Sequence, residues 1–337
     1  MCVNADGENA CARPPYTGKG FDLGENAIRL VQLLQGAIDD PLECTLVVSR
    51  DSDASKGLPY SALSYAWRDT KKEAVTSDAT PDITPTTTPI TLDGIHFGVT
   101  TNLAAALKHL RQPARDVLLW IDAICINQAC NEEKSHQVKR MRRIYESAEQ
   151  VIIWLGPGNK HTDFSMETAL KLDQRAGARK TWEHEWEKMK RLQPLCLTDK
   201  LEDLIEGLRD LLNRSWFRRV WVIQEAASSK RATIMCGDMS VSSRTFSSLP
   251  GLKGIEYDLE PHTRSVLEVM PGPLRDLSWW QKDRSLIKLL LKFQECEAEK
   301  ERDKFYALFG ISQDFCDATV LETDYNISMR QVEQNVI

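Results

Sequence analysis

The residues best equipped for chemistry lie in four short runs. Glu225 closes the run Trp216-Phe217-Arg218-Arg219-Val220-Trp221-Val222-Ile223-Gln224-Glu225. Its two carboxylate oxygens suit binding a sugar diol and stabilising a developing oxocarbenium ion; the plainer alternative is a salt bridge to Arg218 or Arg219. Trp221, one helical turn earlier, shares its face and joins the candidate ligand-binding set, although Trp216 and Trp221 also read as packing anchors. Asp122 interrupts the apolar stretch Val117 to Ile126. It is placed to bind a hydroxyl or order the loop Cys125 to Glu133, and equally to cap a neighbouring turn. Asn127 and Gln128 are neutral amides, suited to holding a loop or recognising a ligand rather than to acid-base work. Trp67, Arg68 and Asp69 set an aromatic face beside a guanidinium and a carboxylate, a group able to receive a flat ring and a phosphate. The alternative there is a core Trp beside an exposed ion pair.

Other chemistries lack their residues. The nine cysteines are scattered with no CxxC pair, so a closed zinc site is not indicated and they read as reduced thiols. Gly156-Pro157-Gly158 follows an apolar run, but His161 stands where the dinucleotide fingerprint needs its third glycine. GxxxxGK[ST], HExxH and GxSxG do not occur.

Of 337 residues, 43 are Lys or Arg and 49 Asp or Glu, a formal charge of −6. That balance argues against bulk binding to nucleic acid or an anionic membrane. No apolar run approaches the roughly 20 residues of a spanning helix, and residues 1 to 20 lack the apolar region of a secretory signal. A cytoplasmic location is expected.

The elements that must position these residues alternate after a β-rich start. Ala27 to Leu34, Glu43 to Arg50 and Tyr60 to Trp67 read as strands. Lys71 to Pro89 is Thr- and Pro-rich and reads as a solvated insertion, while Ile90 to Thr100 is a hairpin turning at Asp93-Gly94. Asn102, as N-cap, opens a helix to Arg111. Val117 to Ile126 is a buried strand, Asn131 to Ala148 an amphipathic helix, and Val151 to Leu155 a second buried strand. Helices follow over Phe164 to Ala176, Asp199 to Leu212 and Ser215 to Ala227, the last putting Glu225 in its final turn, and Ala232 to Cys236 is another strand. Ser242 to Ile311 is mainly helical, and Ser328 caps a last helix. Strands apolar on both faces and alternating with helices predict a parallel sheet covered by helices, with its ligand edge at the strand C-termini.

Four segments together resemble the fungal heterokaryon incompatibility (HET) domain: Tyr60-Ser61-Ala62-Leu63-Ser64-Tyr65-Ala66-Trp67-Arg68-Asp69; Leu119-Trp120-Ile121-Asp122-Ala123-Ile124-Cys125-Ile126-Asn127-Gln128, running on to Val151-Ile152-Ile153-Trp154-Leu155-Gly156; Trp216 to Glu225; and Arg302-Asp303-Lys304-Phe305-Tyr306-Ala307-Leu308-Phe309-Gly310. Arg68 stands where the family usually has Gly. The resemblance implies a protein of fungal non-self recognition that triggers programmed cell death. The family is in turn distantly similar to Toll/interleukin-1-receptor (TIR) domains, and this implies a TIR-like, flavodoxin-like parallel sheet with an N-terminal β-rich addition and a helical C-terminal part. It also implies NAD as a substrate with Glu225 as the catalytic glutamate, and Trp67, Arg68, Asp69, Asp122, Asn127, Gln128 and Trp221 are then the candidates to bind the ligand. The expected organisation is a flexible segment over 1–25, the HET domain over 26–325 with its core at about 60–241 and the insertion at 71–89, and the start of a further, truncated region over 326–337. No prosthetic group or metal is called for. Two mechanisms stay open: NAD hydrolysis, and a non-enzymatic module that works by self-association or by binding a sensor protein.

Overall fold

The computed structural model describes residues 15–16, 23, 26–50, 57–67, 87–176, 197–253, 259–314 and 323–336. Arg68, Asp69 and most of the Thr/Pro-rich insertion lie outside these residues.

Nine strands form one mixed sheet. They are β1 (Ala27–Leu33), β2 (Glu43–Arg50), β3 (Ser61–Tyr65), β4 (Thr87–Leu92), β5 (Ile95–Thr100), β6 (Val117–Trp120), β7 (Gln150–Trp154), β8 (Ala232–Cys236) and β9 (Met239–Ser242), in the order β5-β4-β2-β1-β6-β3-β7-β8-β9. The middle four, β6-β3-β7-β8, run parallel. Their sequences (VLLW, SALSY, QVIIW, ATIMC) are apolar on both faces, as strands covered on both sides must be. The β-rich start extends this same sheet, β1 pairing antiparallel with both β2 and β6. β4 begins at Thr87, so Thr87 to Pro89 belong to a strand rather than to the expected insertion. The hairpin turns at Asp93-Gly94 as expected, both residues having positive φ (51° and 77°).

The helices are α1 (Thr101–Leu110), α2 (Asp122–Cys125), α3 (Asn131–Ser147), α4 (Lys160–Ala176), α5 (Leu197–Leu212), α6 (Trp221–Ser228), α7 (Ser243–Lys253), α8 (Pro261–Val269), α9 (Pro273–Leu277), α10 (Leu286–Lys292), α11 (Asp303–Phe309) and α12 (Met329–Val336). Two differences from the sequence expectation bear on the site. β6 stops at Trp120, and Asp122 opens the short α2 instead of ending a strand. Residues 215 to 228 are not one helix: a 3-10 turn over Ser215–Arg218 precedes α6, so Glu225 is in the body of an eight-residue helix and Arg218 is not on it. Backbone pairing makes this break, since Val220 N–H donates to the Glu297 carbonyl (3.0 Å) and Glu297 N–H to the Arg218 carbonyl (2.6 Å). The cap of α1 is Thr100, whose hydroxyl accepts from Leu103 N–H. Asn102 instead ties the Ala66 carbonyl to the Trp154 indole.

Strand alternation sorts the two faces. Trp154 on β7 meets α1, through Asn102 and the His109 ring. Trp120 on β6 and Ser64 on β3 meet the other layer, Trp120 stacking edge-on with Tyr145 of α3 and Ser64 bonding Glu225 of α6. β1 is locked to α3 by Arg29, 2% exposed, whose guanidinium pairs with the Glu133 carboxylate (2.5 and 3.1 Å). Cys44, Cys125, Cys236 and Cys296 are free thiols, whereas Cys130 is disulfide-bonded, against the expectation that all are reduced. No described helix is long and apolar enough to cross a membrane.

Candidate functional site

A cavity of about 430 Å³ opens at the C-terminal edge of β3 and β6, within the roughly 300–1,000 Å³ of small-molecule sites. Its floor comes from the residues just past the strands: Trp67, two after β3, and Asp122, two after β6. The Trp67 indole donates to Asp122 Oδ2 (3.2 Å) and Ala123 N–H to Oδ1 (2.7 Å). Burial pushes the Asp122 carboxyl up, and Arg219 is the strongest opposing influence. The Arg219 guanidinium lies over the Trp67 ring (5.9 Å to the centroid) and donates to the Tyr65 carbonyl, so it is fixed at the cavity wall. Gln128 also lines the cavity, its amide donating to the Asp122 carbonyl (2.9 Å).

The other wall comes from far along the chain. Lys134 of α3, Trp221 of α6, Glu297, Glu299, Asp303 and Tyr325 face the same space. Asp303 is 5% exposed, and its Oδ1 accepts from the Tyr325 hydroxyl (2.8 Å). The Trp221 side chain bonds to it as well, and burial raises its carboxyl. Lys134 Nζ sits 4.7 Å from the Tyr325 ring centroid, with burial lowering its pKa. Three bonds hold this roof: Arg302 to the Tyr325 (3.0 Å) and Ile327 (2.7 Å) carbonyls, and the Tyr306 hydroxyl to the Asp324 carbonyl (2.7 Å).

Glu225 does not line the cavity. It is 1% exposed, and its Oε2 accepts from the Ser64 hydroxyl, which accepts in turn from the Trp216 indole (2.7 Å). The Tyr145 hydroxyl is a further partner. Burial pushes the Glu225 carboxyl up to about 7; Arg219 opposes this and Asp122 adds to it. The salt bridge to Arg218 weighed from the sequence is not its environment, since Arg218 Nε pairs with Glu297 (2.9 Å). Glu225 is thus held by hydroxyls away from the cavity lining, and Arg219 is the cation that influences both it and Asp122.

Of the sequence-derived set, Trp67, Asp122, Gln128 and Trp221 come together in the cavity. Asn127 does not: it is 2% exposed, its Oδ1 accepts from Ala129 N–H (3.2 Å), and its own N–H donates to Glu133 (2.7 Å), so it shapes the loop. Trp216 is the buried anchor expected of it. Sequence reasoning missed Arg219, Lys134, Asp303 and Tyr325. Asp303 stood in plain view in the run Arg302 to Gly310, but no periodicity ties that run to residues 67 and 122.

Fold and site define an α/β domain with a small-molecule cavity at the strand edge, built jointly by the sheet and a C-terminal helical part. Residues 60–225 match the family model described as heterokaryon incompatibility protein (HET), so the chain carries a HET domain. It is similar to heterokaryon incompatibility protein 6, OR allele, of Neurospora crassa, 30% identical over 317 residues that cover 80% of this chain. The chain spans 45% of that relative's length. No solved structure matches it.

Proposed function

We propose that the domain is an effector of fungal heterokaryon incompatibility that cleaves NAD in the cavity, and that the loss of NAD triggers cell death. The observation that carries this reading is the buried carboxylate Asp122 in the wall of a ligand-sized cavity at the strand C-terminal edge, where open α/β sheets bind their ligands. The parallel core supports a TIR-like, flavodoxin-like relationship: in chain order β3, β6, β7 and β8 are first to fourth, and their spatial order is second, first, third, fourth. The charges select the ligand end. Four carboxylates (Asp122, Glu297, Glu299, Asp303) against two cations (Lys134, Arg219) line the space; with Glu297 paired to Arg218 an excess of acid remains, which favours a cationic pyridinium over a pyrophosphate, and Trp67 and Trp221 offer it ring faces.

Nicotinamide leaves as a neutral molecule when the C–N bond breaks, so no general acid or prosthetic group is needed. The protein's task is to stabilise the oxocarbenium ion and guide water to it. Asp122, fixed by Trp67 and the Ala123 amide, is the cavity carboxylate at the strand edge that takes this role. Glu225 is a positioning group that acts through Arg219 and the β3 strand. The test is nicotinamide release from NAD by the purified chain. Wild type should release it, Asp122→Asn should lose about 100-fold or more, and Glu225→Gln should retain activity with an altered pH profile. No release by wild type across a wide range of protein concentration sinks the reading.

One observation favours a second reading. Ile287 and Leu291, one turn apart on α10, are 69% and 62% exposed, an apolar stripe suited to self-association or to a sensor protein. Loss of a sedimenting oligomer in Ile287→Lys, with NAD untouched by wild type, would favour that module.

A further inference from the structure

Asp303 combines three properties that a purely structural buried carboxylate does not need together. It is almost wholly buried, it faces the cavity, and it has Lys134 as its strongest cationic influence within that cavity. A carboxylate offers about four acceptor sites, and the partners identified for Asp303, the Tyr325 hydroxyl and the Trp221 side chain, leave room for more. Lys134 brings an ammonium with three donors to the same wall, held against the Tyr325 ring. Its electrostatic partners include Asp303 and, more weakly, Asp122 across the cavity, so the three groups surround one space.

An acceptor-only group beside a donor-only group is the complement of a vicinal diol, whose hydroxyls each donate and accept. A phosphate would meet the same ammonium but also four carboxylates, and is disfavoured. Resting on the reading of the cavity as a site for a pyridinium riboside, we propose that Asp303 and Lys134 bind the 2′- and 3′-hydroxyls of the ribose whose anomeric carbon faces Asp122. The site is then specific for ribosides, and its specificity comes from residue 303, outside the matched stretch of 60–225.

Binding of the non-cleavable carbocyclic analogue of nicotinamide riboside, with and without its 2′-hydroxyl, tests the pair by calorimetry on the full chain. Wild type should prefer the hydroxylated analogue by about tenfold or more, the worth of a hydrogen bond to a charged group. Asp303→Asn should bring the two analogues to within about twofold of each other, a change that loss of a roof anchor alone would not produce, since that weakens both equally. Should Asp303→Asn not fold, Lys134→Met, on a half-buried side chain, carries the same expectation. A preference that survives in either folded variant, or is absent from wild type, overturns the diol pair and leaves the cavity reading standing. Failure of wild type to bind either analogue overturns the cavity reading, and the pair with it.

Discussion

Replacing Glu225 by Gln keeps the shape of the side chain and removes its titration. In the native chain burial raises this carboxyl from its ordinary 4.5 to about 7, and each tenfold change in proton affinity is worth about 1.4 kcal/mol. Ionising it in place therefore costs on the order of 3 kcal/mol relative to the unfolded chain. Below pH 4.5 folded and unfolded states are both protonated and the group imposes no penalty. Between 4.5 and 7 the folded state holds the extra proton, so stability falls as pH rises, and above 7 the full penalty is in place. The Glu225→Gln variant carries no such slope, and its amide still offers an acceptor to Ser64 and a donor to Tyr145. Urea unfolding of both proteins from pH 4.5 to 8.5 isolates the effect, because the other titrations are common to them apart from that of Asp122, which is coupled to Glu225. Stability of wild type relative to Glu225→Gln should drop by about 3 kcal/mol across that range. Parallel profiles would refute the reasoning and would mean that Glu225 is ionised throughout, with Arg219 outweighing burial.

Other substitutions probe the frame around the cavity. Arg29→Met strands the Glu133 carboxylate beneath β1, and should cost about 3–5 kcal/mol in urea unfolding. Ser64→Ala removes a donor to Glu225 and the acceptor of the Trp216 indole, and a loss of about 1–3 kcal/mol is expected with altered Trp fluorescence. A Cβ at Gly207 would sit 2.1 Å from the His161 carbonyl oxygen and 2.2 Å from Ser165 Oγ, so Gly207→Ala should force α4 and α5 apart and lower the melting temperature by several degrees, about 1–3 kcal/mol; an unchanged melting temperature would show that the helix contact is looser than described.

The parallel core was legible because its strands are short, apolar runs, one of them stopped by Gly156, and the β4–β5 hairpin because Asp93-Gly94 marks its turn. The floor of the cavity followed, since Trp67 and Asp122 stand just past such runs. What escaped was set by distant partners. Nothing in Arg218-Arg219-Val220 marks a helix break; Glu297, far along the chain, imposes it by pairing with that backbone. Asn102 looked like a cap because it starts a helical pattern, yet Thr100 takes that role and leaves Asn102 to join two strands. Glu225 was singled out for its residue type, but only packing reveals that Ser64 and Tyr145 close over it.

Because the cavity is built from residues far apart in the chain, its parts are made at different times during synthesis. Trp67, Asp122 and Trp221 are all in the nascent chain once Trp221 has been made, but Asp303 and Tyr325 follow only about a hundred residues later, a delay of about 5–20 s at ordinary translation rates. Until then the site has one wall. On the proposed function the domain would stay inactive on the ribosome, and a message cut short after residue 225 would yield the family's matched core without Asp303 and Tyr325.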